Sequence, residues 1–392
     1  MKRIAVVTFA RSDYAACLSI ARLIAADPDL DLYLVVSGMH LSPEFGYTVR
    51  EIEADRLEIS ERVEMLLSSD SAEGLAKSLG LGTLGLAQCF ARSRPDVLLL
   101  CGDRLELLCV ASAVLPFGIP MAHVSGGEVT EGAIDNQVRY AVTKMSHLHF
   151  VAMAPYAERL IRSGEERWRV HVTGDPALDV LHETPIMSRE ELSRCLGVEL
   201  APPVIVMTLH PTTLSLTSQT EELPVVLSAL SRIDATLIIT YPNADPHGRA
   251  IVEGIGTFVR TRPRARVFPS LGQKTYYSLL SYADAMVGNS SSGIWEAPSF
   301  RLPSVNVGER QKGRIRPRNV IDVGVEADAI GQALRRALAP SFRASLIGLE
   351  NPYGDGKSAA RIVEILKEVE LGPRLLQKRV VDDGGETAST LP

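Results

Sequence analysis

Residues 289–298 are the part of the sequence whose residue types and spacing point most directly to chemistry. They follow a short apolar run, which predicts a turn from a strand into a helix. Small residues at such a turn leave backbone N–H groups free to face an anion, and the helix dipole favours negative charge there. These small residues are Ser290, Ser291, Ser292 and Gly293. Glu296 would repel the anion unless it binds sugar hydroxyls, so the stretch predicts a site for a phosphorylated sugar or a nucleotide.

A simple helix N-cap is the alternative interpretation of the same residues. A capping box places Glu three residues after the capping Ser or Thr. Glu296 lies four residues after Ser292 and three after Gly293. The phosphate site therefore fits this spacing better than the cap does.

Three carboxylates lie at positions that suit proton transfer. Asp103 follows an apolar run at 97–101, and Glu128 follows two glycines after another run. Asp135 opens a predicted helix shortly afterwards. Glycines let the backbone approach a ligand closely and aim the next side chain toward it. Clustered carboxylates can remove and deliver protons at carbon, so we interpret these three as candidate acid/base residues.

Each carboxylate also has a structural interpretation. Asp103 and Glu106 have the spacing of a capping box, and Glu128 is compatible with a solvated loop. Asp135 and Arg139 have the i,i+4 spacing of a helix-surface ion pair.

Two cationic or proton-carrying side chains follow other predicted strands. Arg11 follows the first strand and could bind a phosphate. A surface ion pair with Asp13 is equally compatible with this sequence. His210 is followed by Pro211, which favours an extended backbone. His210 could pair with a departing phosphate or move a proton.

The elements that must position these residues alternate between short apolar runs and helix-length segments. Runs of this kind are typical of buried parallel strands. We predict strands at 4–9, 31–36, 97–101, 121–124, 147–151, 170–172, 204–208, 236–240, 266–268, 285–287 and 304–307. The fold class is therefore α/β, with two doubly wound Rossmann-like domains facing each other across a cleft. We expect the first domain at 1–180, the second at 181–372 and a disordered tail at 373–392.

Composition narrows the class of ligand. A net charge of −6 disfavours nucleic-acid binding, which needs a basic face. The sequence has no convincing metal-ligand spacing, no GxGxxG after the first strand and no GxxxxGK[ST], so we expect neither a metal nor a cofactor. It also has no apolar run long enough to span a membrane and no signal peptide, and we expect a cytoplasmic protein.

Six segments in order resemble the bacterial hydrolysing UDP-N-acetylglucosamine 2-epimerases of the sialic acid pathway and their close relatives. The likeness runs from Arg11 to about Ile321. Its strongest parts are Gly102-Asp103-Arg104, Gly126-Gly127-Glu128, and residues 143–150, 240–246, 289–300 and 310–314. The resemblance implies a glycosyltransferase-B-like fold that holds the nucleotide mainly in the second domain.

The resemblance also implies roles for individual residues. It makes Asp103, Glu128 and Asp135 the acid/base carboxylates, with His210 near the leaving phosphate. It places Arg11, Ser290, Ser291, Glu296 and Arg314 at nucleotide-binding positions, with Glu296 on the ribose hydroxyls. The implied reaction eliminates the nucleotide across C1–C2 to give a 2-acetamidoglycal, and water then adds with inversion at C2. Which carboxylate performs which step stays open.

The family includes several substrates, and the sequence leaves them open. The expected reaction converts UDP-N-acetylglucosamine into N-acetylmannosamine and UDP. Alternatives are the same chemistry on UDP-2,4-diacetamido-2,4,6-trideoxyglucose or GDP-N-acetylglucosamine, and a non-hydrolysing 2-epimerase. A glycosyltransferase or a catalytically inactive nucleotide-sugar sensor are further alternatives. The resemblance also implies a homodimer or a higher homo-oligomer.

Overall fold

The structure, a computed structural model, describes residues 1–69, 71–131, 134–210, 222–242 and 248–381. The described chain divides into two compact units. The first unit contains Met1–Glu128, Ile134–His182 and the described residues from Tyr353 onward. The second unit contains Val129 to Glu131 and the described part of Glu183–Pro352.

The first unit is built on a parallel sheet of seven strands among the described residues. Their order is β3-β2-β1-β4-β5-β6-β7. The strands are β1 (Lys2–Thr8), β2 (Leu30–Ser37), β3 (Ile59–Val63), β4 (Val97–Cys101), β5 (Met121–Val124), β6 (Leu148–Val151) and β7 (Val170–Val172). The central strand β4 is buried at every position because helices cover both faces of the sheet. The helices are α1 (Arg11–Ala26), α2 (Val49–Ala54), α3 (Ala72–Arg92), α4 (Leu107–Val114), α5 (Asp135–Met145), α6 (Ala154–Arg162) and α7 (Ala177–Glu183).

The second unit repeats this plan with six described parallel strands in the order β10-β9-β8-β11-β12-β13. They are β8 (Val204–Thr208), β9 (Thr236–Thr240), β10 (Ala265–Phe268), β11 (Ala285–Gly288), β12 (Ser304–Val307) and β13 (Val320–Val323). The helices are α8 (Arg189–Leu196), α9 (Glu222–Ser231), α10 (Gly248–Arg260), α11 (Gly272–Tyr282), α12 (Ser292–Trp295), α13 (Ala327–Leu338) and α14 (Pro340–Ser345). Its apolar core lies between the sheet and these helices.

The end of the chain returns to the first unit as α15 (Ser358–Glu368) and α16 (Pro373–Leu376). The carboxylate of Asp179 accepts the backbone N–H of Ser358 at 3.0 Å and of Ala359 at 2.6 Å, and so caps the start of α15. Lys2 Nζ donates to the carbonyl oxygen of Leu366 at 2.9 Å near the end of the same helix. The predicted extent of the second domain, 181–372, therefore differs from the structure, in which this unit ends at Pro352.

The predicted disordered tail is wrong for residues 373–381. The buried guanidinium of Arg169 donates to the carbonyl oxygens of Arg374, Leu375 and Gln377. Lys378 forms an ion pair with Glu165 at 2.8 Å. Polar composition suggested a free tail, but first-unit charges bind its backbone and side chains. Residues 382–392 lie outside the described part of the chain.

The prediction of an α/β fold with two Rossmann-like domains is confirmed, and each predicted strand is present. The sequence did not reveal β3 and β13, which lie at the edges of their sheets. The first four residues of β3 alternate between half-buried and exposed positions and only Val63 is buried, so the strand lacks the continuous apolar run of a central strand. Within the described residues, no helix combines the length and the hydropathy that crossing a membrane requires.

Candidate active site

Three predicted site residues follow three neighbouring strands of the first sheet. The strand order reverses between β1 and β4, and β5 lies next to β4. Arg11 follows β1, Asp103 follows β4, and Glu128 follows β5. Doubly wound sheets bind ligands at the carboxyl ends of strands at such a reversal. The topology therefore places these residues at the edge where a ligand is expected.

A buried histidine fixes the turn that carries Asp103. His123 Nε2 lies 2.8 Å from the carbonyl oxygen of Gly102, so this nitrogen carries the proton and donates. Its Nδ1 then accepts from Thr143 Oγ1 at 3.1 Å. Burial lowers the pKa of His123 to about 4, which keeps the ring neutral in this tautomer. Gly102 itself has a φ of +88°, a conformation that favours glycine.

Arg139 links two of the candidate carboxylate residues. It is 1% exposed, whereas the alternative interpretation of Asp135 and Arg139 as an ion pair placed it on a helix surface. Its Nη2 forms an ion pair with Asp103 Oδ2, and its Nη1 donates to the carbonyl oxygen of Glu128 at 3.2 Å. One buried cation thus orients the Asp103 carboxylate and the backbone that carries the Glu128 side chain.

Glu128 is fully buried, and the backbone before it adopts a conformation that requires glycine. Gly127 has a φ of +75°, and a Cβ there would lie 2.6 Å from the carbonyl oxygen of Tyr156. Arg159 Nη1 donates to the Gly127 carbonyl oxygen. Burial therefore excludes the solvated-loop interpretation of Glu128.

Asp135 is the first residue of α5, as predicted, and it influences a second arginine. Burial opposes the charge of Arg104, but Glu106, Asp13 and Asp135 together raise the pKa of its guanidinium. Arg104 Nη2 donates to Glu106 Oε1 at 2.6 Å. A guanidinium surrounded by carboxylates is fixed in place and keeps its charge.

The predicted residues of the second unit follow the corresponding strands of the second sheet. The order reverses between β8 and β11, and β12 lies next to β11. His210 follows β8, the serine-rich turn at 289–293 follows β11, and Arg314 follows β12. Both sheets thus carry their candidate residues at equivalent positions.

Asn289 holds His210 in place through the backbone. Its Oδ1 accepts the N–H of His210 at 2.7 Å, and its Nδ2 donates to the His210 carbonyl oxygen at 2.8 Å. Close packing of β8 and β11 supports this arrangement. Gly288 has a φ of +133°, and a Cβ there would lie 1.9 Å from the carbonyl oxygen of Thr208.

The electrostatics of His210 favour a neutral ring. Burial, together with the charge of Arg310, lowers the pKa of His210 to about 3. His210 is 8% exposed. A neutral imidazole can still donate one hydrogen bond to a phosphate oxygen, but it brings no positive charge of its own.

The serine-rich turn leads into a single helical turn and not into a full helix. α12 spans Ser292–Trp295, and a 3₁₀ turn follows at Ala297–Phe300. The predicted contribution of a helix dipole is therefore wrong, because a macrodipole needs a longer run of aligned peptides. The donors that remain for a phosphate are the N–H and hydroxyl groups of the turn.

Two residues of this turn have structural partners. Ser292 Oγ lies 2.6 Å from the hydroxyl of Tyr276. A Cβ on Gly293 would lie 2.1 Å from Ser304 Oγ, so glycine is needed for packing there. Burial, with the nearby charge of Glu296, raises the pKa of Tyr276 and keeps its hydroxyl neutral.

Arg314 lies over the indole ring of Trp295, 4.2 Å from the ring centroid to the guanidinium carbon. Its Nη2 donates to Thr130 Oγ1 at 3.5 Å. The Nε and Nη1 atoms are buried without an acceptor among the described residues. An unsatisfied buried donor costs about 1–3 kcal/mol, so a ligand oxygen that reached this guanidinium would be stabilised.

The structure decides between several of the sequence-based alternatives. Asp103 does not cap α4, whose N-cap is Glu106. Arg139 is buried and binds Asp103 and the Glu128 carbonyl, so the alternative of a helix-surface pair with Asp135 does not account for its position. Residues 243–246 of one resemblance segment lie outside the described residues. Within the described ranges, His, Cys, Asp and Glu side chains form no group of three or more that could hold a metal ion.

Sequence reasoning missed the residues that support the site. Arg139, Tyr276 and His123 have no motif of their own, and Asn289 opens the 289–300 segment without having been given a role. The roles of all four depend on contacts between distant parts of the chain. For Arg139, the available signal was helical spacing, because Arg139 and the apolar Val142 are three residues apart and share a face of α5. No local signal identified Asn289 as the residue that holds His210.

Comparison with known proteins assigns the chain to a family. Residues 22–367 match the family described as UDP-N-acetylglucosamine 2-epimerase. The chain belongs to this family. It is 37% identical over 384 residues to the GDP/UDP-N,N'-diacetylbacillosamine 2-epimerase (hydrolyzing) of Campylobacter jejuni, covering 97% of this chain and 99% of that protein. It is 36% identical over 379 residues to the UDP-N,N'-diacetylbacillosamine 2-epimerase (hydrolyzing) of Legionella pneumophila, covering 96% and 99%.

Other family members are more distant. The UDP-N-acetylglucosamine 2-epimerase of Neisseria meningitidis is 30% identical over 386 residues, covering 97% of this chain and 99% of that protein. A crystal structure of UDP-GlcNAc 2-epimerase from N. meningitidis bound to UDP-GlcNAc has the same fold, with a TM-score of 0.81 at 17% identity, over 93% of this chain and 99% of that one. The predicted family and the predicted activity class, a hydrolysing 2-epimerase of a nucleotide-linked sugar, are confirmed.

Proposed function

We propose that this epimerase converts UDP-N,N'-diacetylbacillosamine, a 2,4-diacetamido-2,4,6-trideoxyglucose linked to UDP, into the free mannose-configured sugar and UDP. The observation that carries the chemistry is the buried guanidinium of Arg139, which forms an ion pair with the partly exposed Asp103 carboxylate and donates to the carbonyl oxygen of the buried Glu128. The sugar is supported by the relatives, since those named for diacetylbacillosamine are 37% and 36% identical. The N. meningitidis relative, which is named for UDP-N-acetylglucosamine, is 30% identical.

The proposed reaction has two steps. In the first, a carboxylate removes the proton from C2 while the C1–O bond to the β-phosphate breaks. The electron pair of the C2–H bond becomes the C1=C2 double bond of a 2-acetamidoglycal, and UDP departs. In the second, water supplies the hydroxyl group at C1 and a proton is delivered to C2 from the opposite face. The C2 configuration is thereby inverted, and no external oxidant or reductant is needed.

We assign the proton transfers to Asp103, Glu128 and Asp135. A C2–H bond is weakly acidic, so its base must be held in a fixed position and partly desolvated. Arg139 supplies that fixed position for Asp103 and for the Glu128 backbone. Burial of Glu128 supplies the desolvation.

We assign the nucleotide to side chains of the second unit together with Arg11. Ser290, Ser291 and Arg314 would bind phosphate or nucleotide oxygens, and His210 would donate to the departing phosphate. Glu296 would accept hydrogen bonds from the ribose hydroxyls. Ser292 and Gly293 support the turn, since Ser292 contacts Tyr276 and Gly293 packs on Ser304. Fixed donors of this kind stabilise the charge that develops on a leaving group.

UDP-N-acetylglucosamine is the second candidate substrate, because the more distant relative of N. meningitidis is named for it. GDP-linked N,N'-diacetylbacillosamine is a third candidate substrate, because the name of the C. jejuni relative includes GDP as well as UDP. All three would undergo the same bond changes, so the products distinguish them directly.

The test is to incubate the purified protein in deuterated water with each of the three nucleotide sugars and to follow the reaction by proton NMR. We expect free mannose-configured diacetamido sugar with deuterium at C2, plus UDP. An epimerised sugar that stays linked to the nucleotide would assign the non-hydrolysing reaction. Turnover of UDP-N-acetylglucosamine alone would overturn the proposed substrate and leave the chemistry in place.

A pair of variants tests the assignment of Glu128 to the proton transfers. Glu128→Gln keeps the size of the side chain and removes its proton-accepting charge, so we expect kcat to fall by about 10²–10⁴-fold. Glu158→Gln is the matched control, because Glu158 is about half exposed and pairs with Arg167 on the surface. Equal activity of the two variants would exclude Glu128 from the proton transfers.

A further inference from the structure

The chain passes from the first unit to the second directly after Glu128. Glu128 belongs to the first unit, and Val129 belongs to the second. On the first side, Arg159 donates to the Gly127 carbonyl oxygen and Arg139 donates to that of Glu128. These two arginines anchor the chain up to the carboxylate.

On the other side, residues 129–131 are held by residues 309–316, which we call the Arg314 loop. The N–H of Glu131 donates to the carbonyl oxygen of Lys312 at 3.3 Å. Arg314 Nη2 donates to Thr130 Oγ1 at 3.5 Å, and Thr130 is 7% exposed. Gly313 packs so closely that a Cβ there would lie 2.4 Å from Val129 Cγ1. This short segment therefore has little freedom to move without the Arg314 loop.

The Arg314 loop is in turn fixed to the serine-rich turn. Gln311 Nε2 donates to the Asn289 carbonyl oxygen at 2.8 Å, and Arg310 Nη1 donates to the same oxygen at 3.2 Å. Arg316 Nη1 donates to the carbonyl oxygens of Gln311 and Arg314, which closes the loop on itself. Contacts thus run continuously from the residue that holds His210 to the residues that follow Glu128.

We infer that Thr130 is a positioning residue, which acts through Arg314 to set the backbone that leaves Glu128. This inference rests on the proposed roles of Glu128 and Arg314. Arg314 has two buried donor atoms, Nε and Nη1, without an acceptor among the described residues. A nucleoside diphosphate that accepts from these atoms would therefore bind the same guanidinium that donates to Thr130. Nucleotide binding would thereby change the position of the proton-transferring carboxylate.

The test compares Thr130→Val, which keeps the shape and removes the hydroxyl acceptor, with Thr130→Ser, which keeps the hydroxyl. We expect kcat of Thr130→Val to fall by about tenfold to a hundredfold, because small displacements of a catalytic group cost rate steeply. KM and the calorimetric Kd for UDP should change by less than about threefold, since uniform binding is untouched. Thr130→Ser should restore most of kcat.

A second readout separates positioning from a general loss of structure. In the wild type, UDP should slow amide hydrogen exchange of residues 127–131, and Thr130→Val should lose this protection while keeping its thermal midpoint. Wild-type kcat in Thr130→Val, or a loss of UDP affinity as large as the loss of kcat, would overturn the inference. A wild-type protein that turns over none of the three nucleotide sugars would instead overturn the proposed function.

Discussion

A single buried arginine changes the interpretation of the carboxylates. The spacing of Asp135 and Arg139 indicated a surface pair worth a few tenths of a kcal/mol. The structure buries Arg139 and directs it to Asp103 and to the Glu128 carbonyl. A buried charge without partners is costly, so Arg139 and its acceptors stabilise one another's positions.

We expect Arg139→Lys to lower kcat by about 10²-fold, because an ammonium group cannot bind a carboxylate and a carbonyl in the same fork geometry. The Kd for UDP should stay within about threefold, since the assigned nucleotide residues are mostly in the second unit. Steady-state kinetics and calorimetry provide both values. Arg162→Gln is the control, because Arg162 is exposed and, among the described residues, donates only to the Glu158 carbonyl oxygen of its own helix. A variant with normal kcat would remove Arg139 from the positioning of the site.

The lowered pKa of His210 makes a prediction about pH. With a pKa of about 3, the ring stays neutral from about pH 5 upward, so its protonation cannot produce an activity limb near the ordinary value of about 6.5. We expect His210→Gln to lower kcat/KM by a similar factor at every pH between about 5 and 9. The pH profiles of the wild type and the variant would give this result. A limb near pH 6.5 that disappears in His210→Gln would show that His210 titrates in the active range.

At the level of elements, the sequence predicted the parts that depend on local pattern. Central strands are continuous apolar runs, and the residues after β4, β5, β8 and β11 could be identified as site candidates from position alone. The edge strand β3 and the single turn of α12 were not predictable in this way. In β3 the half-buried residues alternate with exposed ones, and the length of a helix after a serine-rich turn depends on tertiary packing.

Gly288 lies where strands β8 and β11 pack closely, and this position requires glycine. A Cβ at this position would lie 1.9 Å from the Thr208 carbonyl oxygen, and the φ of +133° is unfavourable for other residues. We expect Gly288→Ala to lower the free energy of unfolding by more than about 2 kcal/mol, because β8 and β11 must separate. Urea denaturation measures this change.

The matched control for Gly288 is Gly256→Ala within α10, where a Cβ would meet nothing within 4 Å. Alanine should stabilise that helix by about 0.5–1 kcal/mol. Opposite signs for the two substitutions are expected. A tolerated Gly288→Ala would mean that the two strands separate at little cost.

For the whole molecule, the sequence predicted two α/β domains and misplaced the end of the chain. Amphipathic pattern predicts that α15 is a helix with a buried face, but it does not say which unit covers that face. The deciding contacts are long-range, namely Asp179 at the start of α15 and Lys2 near its end. Arg169 likewise contacts residues about two hundred positions later in the chain. Local composition contains no information on such pairs.

Two truncations test the role of the chain end in stability. Removing residues 373–392 takes away three carbonyl acceptors of the Arg169 guanidinium, the buried Leu375 and the ion pair of Lys378 with Glu165. Hydrogen bonds to a charged group contribute about 1.5–3 kcal/mol each, and exposure to water offsets part of their loss. We expect a net loss of about 2–4 kcal/mol, seen by calorimetry as a thermal midpoint lower by about 5–10 °C.

Removing only residues 382–392 leaves all of these contacts in place, so this shorter truncation should unfold at the full-length temperature. Equal midpoints for the two truncations would mean that residues 373–381 contribute nothing to stability, and Arg169 would then have to be satisfied by Glu166 and the His147 carbonyl alone.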